Sequence, residues 1–393
     1  MVEIPRHLLT IFFENETIFE SAYATAPWTV PSFASIFFGK LPSDVSLNQY
    51  SNDKRGSLQG ILKENRYTIK AIVPQPRDSH KGRPLGKIIL ELVSGTFEDS
   101  EKPPLYNSDD VLRVASKEIE SLLEHEDTPQ EPFFMFIHAL HVHDPYTPGL
   151  PYNLLFESTT EYPEVTHEDI QIAREMDRVA DVSHIFSLRY DQEIRKFDDE
   201  MREFIENLPQ EVIDNTIIIL TSDHGEAFGE HGGLLHGRTL YDEELHIPLA
   251  IYAPTVGKGR VFKNVSLIDL SPTILDILGI EKPVQLNGES LFSTKRSRVI
   301  SELGFPSFFQ NTSNPPKTIG DVDQNLFSEP IISKVGASLR TEHWKIIKNE
   351  SGLELYNISK DPGETNNLGK VWELLPRRDR ETVEAMLKEL ETL

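Results

Sequence analysis

Short apolar runs alternate along this chain with longer stretches of amphipathic periodicity, the pattern expected of an α/β fold. The apolar runs are rich in β-branched and aromatic residues, which favour strands over helices in short segments. They predict strands at residues 67–73, 133–140, 216–221, 248–253 and 299–302. Because continuous apolar runs suit strands that are covered on both faces, we predict a mostly parallel central sheet flanked by helices.

Residues 191–208 form the clearest predicted helix. Charged residues occupy one face, and apolar residues recur at spacings of three and four on the other, at Ile194, Phe197, Met201, Phe204 and Leu208. A second helix is predicted at 268–278, where Pro272 is tolerated because it lies near the helix start.

The C-terminal part of the chain has a different pattern. Short runs at 337–339, 344–348 and 353–356 predict an antiparallel meander, and a charged amphipathic helix is predicted at 376–390. The segment 304–332 is rich in Pro, Ser, Asn and Gly and predicts a long loop, while 151–168 predicts a polar surface excursion. We therefore divide the chain into a large α/β domain at 1–303, a loop at 304–332 and a small antiparallel subdomain at 333–393.

Composition narrows the function classes. The chain has 393 residues and no cysteine, which excludes disulfides, thiolate metal sites and a cysteine nucleophile. Its formal net charge of −24 argues against nucleic acid as the main partner. No apolar run is long enough to span a bilayer, and the first residues lack the pattern of a secretory signal, so the expectation is a cytoplasmic protein.

The most informative motif follows the predicted strand at 216–221. It reads Thr-Ser-Asp-His-Gly-Glu-Ala-Phe-Gly-Glu-His-Gly over residues 221–232. The C-terminal end of a strand is where an α/β sheet places its ligands, and a carboxylate beside an imidazole, here Asp223 and His224, suits a divalent metal. The alternative interpretation is a strand that ends in a polar turn.

Two further segments carry candidate chemistry. The strand predicted at 133–140 runs into three histidines, His138, His141 and His143, and a three-histidine zinc site is one interpretation. Near the N-terminus, Thr29 precedes Val-Pro-Ser-Phe-Ala-Ser at a predicted helix start. A hydroxyl there lies at the positive end of the helix dipole, where a nucleophile and an anionic ester are both favoured, although Thr29 could equally cap the helix.

Together these segments resemble the sulfatase branch of the alkaline phosphatase superfamily, over roughly residues 17 to 370. The Asp-His motif resembles the family's second metal motif. The segment from residue 26 to 43 resembles its nucleophile loop, with Thr29 at the nucleophile position and Pro31, Ser32, Ile36 and Gly39 in register. The C-terminal segment Asp-Pro-Gly-Glu-Thr-Asn-Asn-Leu at 361–368 resembles the turn on the family's last hairpin.

The resemblance implies a set of site residues. Asp223, His224 and Thr29 would hold a divalent metal ion (calcium, magnesium or manganese, with zinc possible), and His143 and His236 would assist the leaving group. His138 and His141 are interpreted as core or supporting residues. His231 is expected to order its loop, and Asp269 to serve packing. The substrate would be a small anionic ester; the oligomeric state stays open.

Two departures from the family pattern shift the predicted substrate. Sulfatases oxidise a cysteine or serine to formylglycine, and threonine cannot supply that aldehyde hydrate; Phe33 also replaces the arginine that follows Pro-Ser. Relatives that use an unmodified threonine act on phosphate esters. We therefore predict a metal-dependent hydrolase of phosphate, phosphonate or sulfate esters with a covalent intermediate on Thr29. The alternatives are a sulfuric ester hydrolase without formylglycine and a degenerate, non-catalytic family member.

One family element has no counterpart in the sequence. Family members begin with a strand that ends in acidic metal ligands, whereas here no Asp precedes Asp44, and Glu14 and Glu16 lack the expected context. Either the true start lies upstream or the chain is a degenerate member. A cation held only by Asp223, His224 and Thr29 is expected to bind weakly.

Overall fold

The fold is described from a computed structural model. It covers residues 16–46, 49, 55–75, 106–107, 110–123, 131–156, 169, 172–173, 178–306 and 330–392. The predicted excursion at 151–168 is described only to residue 156, where the short 3₁₀ turn Tyr152–Leu154 lies. Most of the predicted loop at 304–332, namely residues 307–329, lies outside the described residues.

Strands and helices are interspersed through the described part of residues 16–300, as expected of an α/β fold. The strands are β1 Glu16–Phe19, β2 Ala22–Tyr23, β3 Thr68–Ile72, β4 Pro74–Gln75, β5 Tyr106–Asn107, β6 Phe133–Ile137, β7 Ile218–Thr221, β8 Ala227–Phe228, β9 Leu234–Leu235, β10 His246–Ile247, β11 Leu249–Tyr252, β12 Gly259–Val261, β13 Val265–Ser266, β14 Val299–Pro306, β15 Ile332–Arg340, β16 Lys345–Asn349 and β17 Gly352–Tyr356. The helices are α1 Thr29–Phe38, α2 Leu58–Glu64, α3 Val111–Leu123, α4 Val179–Glu206, α5 Gln210–Asp214, α6 Asp242–Leu245, α7 Leu270–Ile277 and α8 Arg377–Leu390. No helix in the described ranges combines the length and apolarity needed to cross a bilayer.

The predicted α/β class with a mostly parallel sheet is confirmed, with one exception among the strands beside the Asp-His motif. The order of these strands is β12-β1-β11-β7; β12 runs parallel to β1, and β11 runs antiparallel to both β1 and β7. Strands β12, β1 and β7 therefore run in the same direction, and β11 is the one reversed strand of this four-stranded sheet. The reason lies in the connection from β7, which contains the hairpin β8-β9 and the four-residue α6 in place of a long crossover helix, so the chain returns in the opposite direction.

Helices cover both faces of the strands. On one face, α1 contributes a wholly buried apolar surface that packs with α2 and α7 in the largest hydrophobic cluster. On the other face, α3 and the C-terminal half of α4 form a second cluster with β6 and β7. Helix α4 begins twelve residues before the predicted 191–208 segment, because its first turns pack against β8 and β9 and not against the sheet.

The C-terminal subdomain is an antiparallel sheet with the order β14-β15-β16-β17, and α8 packs on it through Val383, Met386 and Leu390. The strand predicted at 299–302 belongs to this sheet and not to the central one. It extends to residue 306, because its long register with β15 supplies backbone partners along its whole length. The structure thus moves the start of the antiparallel unit upstream of residue 333.

A buried ion cluster joins this subdomain to the loop that follows the Asp-His motif. Lys345 on β16 is 1% exposed, and its Nζ lies 2.7 Å from Asp242 Oδ1 and 2.7 Å from Glu364 Oε1. Arg340 on β15 pairs with the other Asp242 oxygen and stacks over the Tyr23 ring. Burial alone would raise the pKa of Asp242, but the two cations hold it well below its usual range.

Replacing Lys345 with methionine should lower the free energy of unfolding by about 3–5 kcal/mol, because it leaves Asp242 and Glu364 buried without their shared cation. Urea unfolding followed by tryptophan fluorescence measures this change. The control is Lys348→Met on the same strand: Lys348 is half exposed, and its loss should change stability by less than about 1 kcal/mol. Equal effects of the two substitutions would contradict a structural role for the buried cluster.

Candidate active site

Thr29 is the first residue of α1, and its side chain faces the end of β7. The N-cap position is taken by Trp28, which has an extended backbone and makes no side-chain cap bond. The capping interpretation of Thr29 is therefore wrong, and its hydroxyl is available for another partner. Thr29 is only 4% exposed and lies at the positive end of a ten-residue helix whose residues are all buried.

The partner of Thr29 is His224. Thr29 Oγ1 lies 3.3 Å from His224 Nε2, and His224 Nδ1 lies 2.7 Å from the carbonyl oxygen of Gly225. Since a carbonyl oxygen only accepts, Nδ1 carries the proton, and in the neutral ring Nε2 is free to accept from the hydroxyl. Burial lowers the pKa of His224, which favours this neutral form. The pair is a hydroxyl with a base beside it, the arrangement that activates a nucleophile.

Asp223 adds a negative charge next to this pair. Its Oδ2 lies 3.4 Å from His224 Nε2 and has no hydrogen-bond partner among the described residues, although it is buried. Burial would raise the pKa of Asp223, but the neighbouring His224 and His138 and the Thr29 hydroxyl lower it, so the carboxylate is ionised. The carboxylate and His224 Nε2 are alternative acceptors for the single Thr29 hydroxyl proton. An orphaned buried carboxylate oxygen indicates a missing cationic or hydrogen-bonding ligand.

His236 is held as a cation on the other side of His224. Its Nδ1 lies 2.9 Å from Glu226 Oε1, and the Tyr146 hydroxyl donates to Glu226 Oε2 at 2.8 Å. Burial would lower the pKa of His236, but the Glu226 carboxylate raises it to about 9. The His236 ring centroid lies 4.1 Å from that of His224. Because Nδ1 of His236 is paired with Glu226, the Nε2–H group of the imidazolium is the one that can donate a proton in the site.

A glycine fixes the loop that carries these groups. The Gly225 N–H donates to the Glu244 carbonyl oxygen at 2.8 Å, and a Cβ on Gly225 would lie 2.1 Å from the Glu243 carbonyl oxygen. Any side chain at Gly225 would therefore displace the backbone beside His224. The Glu244 carboxylate accepts hydrogen bonds from the N–H groups of Gly237 and Arg238, which anchors the segment that follows His236.

A sequence model of the sulfatase family matches residues 4–280. The chain belongs to the sulfatase family. Arylsulfatase K of Bos taurus is 32% identical over 162 residues, a match that covers 40% of this chain and 28% of that protein. The delta 4,5-hexuronate-2-O-sulfatase of Bacteroides thetaiotaomicron is 25% identical over 393 residues, covering 90% of this chain and 77% of that protein. The segment of arylsulfatase K that this chain matches is thus less than a third of the length of that protein.

Two solved structures share the fold of this chain. The phosphonate monoester hydrolase of Agrobacterium radiobacter superposes with a TM-score of 0.65 at 19% identity, covering 98% of this chain and 90% of that one. A protein solved in complex with D-glucosamine-2-N,6-O-disulfate also gives a TM-score of 0.65, at 18% identity, covering 98% of this chain and 91% of the other. At these identities the likeness concerns the fold alone.

The remaining predicted histidines fall in different places around this sulfatase-family site. His143 is half-buried, its Nδ1 lies 2.8 Å from the Asp144 carbonyl oxygen, and its ring centroid lies 5.3 Å from that of His236. His138 is 7% exposed and meets the Phe33 ring edge-to-face, and burial lowers its pKa to about 4. His138 therefore borders the site as a neutral ring.

His141 and His231 lie apart from the reacting groups. His141 packs on Phe197 of α4 with its Nε2 2.8 Å from a Glu200 oxygen, so the three histidines do not converge and the zinc-site interpretation is wrong. His231 lies 2.6 Å from Glu243 and stacks on Tyr241. Asp269 is fully buried with Arg296 and forms a capping box with Ser266.

The described residues do not by themselves form a metal site. Asp223, His224 and Thr29 lie together at the end of β7, and the orphaned Asp223 Oδ2 suits a cation. Across the described ranges, however, no group of three or more His, Asp or Glu side chains is arranged to hold a metal ion. The three predicted donors alone do not make a complete site.

Two residues of the site, Glu226 and Tyr146, were absent from the sequence predictions. Glu226 lies two residues after His224, inside the quoted motif, and its place in the series Asp-His-Gly-Glu is the signal that could have found it. Tyr146 is separated from Glu226 by 80 positions, and only the fold brings them together.

Proposed function

We propose that this chain hydrolyses small anionic esters, with phosphate or phosphonate esters preferred over sulfate esters, through a covalent intermediate on Thr29. The observation that carries the proposal is the 3.3 Å approach of Thr29 Oγ1 to the unprotonated Nε2 of His224 at the start of α1. A nucleophile, its base and a buried imidazolium therefore converge on one point.

The first half-reaction follows from the protonation states. Thr29 Oγ1 attacks the phosphorus as its proton passes to His224 Nε2, and the bond to the leaving oxygen breaks. That oxygen takes a proton from His236 Nε2, which Glu226 keeps charged. His143, beside His236, is the second candidate donor at the leaving group.

The second half-reaction regenerates the enzyme. Water attacks the phosphorus of the Thr29 ester and gives a proton to His236, which became neutral in the first step. The Thr29 oxygen leaves and recovers its proton from His224. Each residue thus ends in its starting protonation state.

We also propose a divalent cation as cofactor, calcium, magnesium or manganese, with zinc as the alternative. The free Asp223 Oδ2 supports this proposal, and with Asp223, His224 and Thr29 as its donors the cation is expected to bind weakly. His224 Nε2 cannot accept the Thr29 proton and bind a cation at the same moment. His224 therefore acts either as the base for Thr29 or as a metal ligand, and a calorimetric metal titration distinguishes these two roles.

A calorimetric titration of manganese should give no binding tighter than about the millimolar range, because three donors cannot satisfy a six-coordinate ion. The matched control is Asp223→Asn, which removes the charge and keeps the shape. Tight one-to-one binding that Asp223→Asn abolishes would contradict the incomplete site and would assign His224 to the metal.

The ester preference is tested by relative rates. The substrates are 4-nitrophenyl phosphate, 4-nitrophenyl phenylphosphonate and 4-nitrophenyl sulfate, which share the same leaving group. Because Thr29 cannot form an aldehyde hydrate, kcat/KM should be at least about tenfold higher for the two phosphorus esters than for the sulfate. Thr29→Ser keeps the hydroxyl and should keep the order of preference. A higher kcat/KM for the sulfate would favour the alternative, a sulfuric ester hydrolase that works without formylglycine.

A further inference from the structure

The turn at residues 143–146 contains a carboxylate that the proposed reaction does not use. Asp144 directly follows His143, and its side chain is only 7% exposed. Its Oδ1 lies 3.2 Å from His143 Nδ1, and its backbone carbonyl oxygen lies 2.8 Å from the same nitrogen. Burying a carboxylate is costly unless hydrogen-bond donors or a cation compensate for the lost water. A carboxylate that is held against a histidine of the site therefore indicates a role for its charge.

The oxygen atoms of Asp144 determine which nitrogen of His143 serves the site. A carbonyl oxygen only accepts, so Nδ1 carries a proton in both the neutral and the charged ring. Nε2, on the opposite side of the ring, is therefore the nitrogen that can contact a ligand. His143 lines the active-site cavity together with Asp223 and His224, whereas Asp144 is not among the described residues that line it. Asp144 thus lies behind the cavity wall, and His143 is the side chain that connects it to the cavity.

His143 and His236 are neighbours, and each has a carboxylate beside its Nδ1. Their ring centroids lie 5.3 Å apart at an interplanar angle of 72°. Glu226 lies 2.9 Å from Nδ1 of His236, and Asp144 lies 3.2 Å from Nδ1 of His143. The charge of Asp144 also extends to the other pair: burial would lower the pKa of His236, and Glu226 and, more weakly, Asp144 raise it. Two imidazoles are therefore matched by two carboxylates at this side of the cavity.

The contact with His143 allows the charge of Asp144 to be removed without changing its shape. The shorter of the two contacts with Nδ1 is made by the backbone carbonyl oxygen, which no side-chain substitution removes. Asp144→Asn therefore keeps this carbonyl contact and the size of the side chain, and it removes the negative charge. If the carboxylate only ordered its turn, asparagine would replace it with little effect on a bound ester. If it supports a charged His143 ring, asparagine cannot replace it.

We propose that Asp144 is a positioning residue that acts on the bound ester through His143. Its carboxylate stabilises the positive charge of the His143 ring while Nε2 donates a hydrogen bond to an oxygen of the ester. Asp144 itself forms no bond to the ester. The inference rests on the proposed function, because the ligand of His143 is the anionic ester that Thr29 attacks.

A double-mutant cycle tests this coupling. It compares kcat/KM on 4-nitrophenyl phosphate for the parent, Asp144→Asn, His143→Gln and the double variant. Asp144→Asn should lower kcat/KM by about tenfold or more, and His143→Gln by at least as much. In the His143→Gln background, Asp144→Asn should change kcat/KM by no more than about twofold, because the ring that the carboxylate supports is gone. The Kd of phenylphosphonate, measured by calorimetry on the same four proteins, should show the same coupling without any turnover.

Three results would overturn the inference. Effects that multiply in the double variant would mean that Asp144 acts independently of His143. An Asp144→Asn variant with the parent's kcat/KM and Kd would mean that the carboxylate has no role in the site. A parent that neither hydrolyses the phosphate ester nor binds phenylphosphonate would mean that His143 meets no anionic ester.

Failure of the proposed function is distinguishable from failure of this inference. If the parent binds phenylphosphonate but does not hydrolyse the phosphate ester, the proposed function fails, and the cycle in Kd still decides the role of Asp144. Thermal unfolding of the four proteins checks that each is folded, and His143→Ala supplies the background if His143→Gln is not.

Discussion

Thr29→Ala should lower kcat on 4-nitrophenyl phosphate by at least about 1000-fold, because it removes the only atom proposed to bond to phosphorus. The fold should survive, since the substitution deletes a hydroxyl and a methyl group at the first residue of a helix whose cap is Trp28. Steady-state kinetics measure the rate, and thermal unfolding of the same samples measures the fold.

Thr29→Ser is the matched control for this prediction. It retains the hydroxyl beside His224 Nε2 and should keep kcat within about tenfold of the parent. If Thr29→Ala keeps most of the activity while Thr29→Ser behaves like the parent, the nucleophile is a different group. In that case a water molecule activated by His224 becomes the candidate.

Glu226→Gln should lower kcat at neutral pH by about 100-fold or more, because His236 loses the charge that keeps it protonated. His236 is the acid in its protonated form, so activity falls as the pH rises through its pKa of about 9. Without the Glu226 carboxylate, burial of His236 dominates and lowers this pKa. The falling limb of the pH–rate profile should therefore move to lower pH in Glu226→Gln.

The Tyr146→Phe variant distinguishes the effect of the Glu226 charge on the His236 pKa from the effect of the position of the Glu226 side chain. It removes the hydroxyl that donates to Glu226 Oε2 and leaves the carboxylate charged, so the falling limb should stay near pH 9 or move upwards. A Glu226→Gln profile that keeps the parent's falling limb would show that His236 is not the acid. His143 would then take that role.

Much of the site could be predicted because its residues follow strands or begin helices in short, contiguous motifs. Asp223 and His224 come directly after an apolar strand, and Thr29 begins a helix. These local patterns left a polar turn and a helix cap open, and the resemblance to the sulfatase family singled the residues out. The strands at 67–73 and 133–140 were found from local patterns, since their apolar character is set by burial between two helical layers.

Other features depend on tertiary contacts that no local pattern carries. Strand β11 is antiparallel to β7 because the connection between them has no long crossover helix. The apolar sequence of β11 would be equally compatible with a parallel strand, so the sequence does not indicate its direction. The role of Glu226 depends on His236 and on the distant Tyr146. Likewise, the assignment of the strand at 299–302 depends on its pairing with β15 across residues that the pattern marked as a loop.

The measurement that tests the central claim most directly is mass spectrometry of the chain quenched during turnover of 4-nitrophenyl phosphate. The account predicts a phosphoryl group on the peptide that contains Thr29, present in the parent and absent from Thr29→Ala. Turnover with no adduct on that peptide under any quench condition, or an adduct that persists in Thr29→Ala, would contradict a covalent intermediate on Thr29.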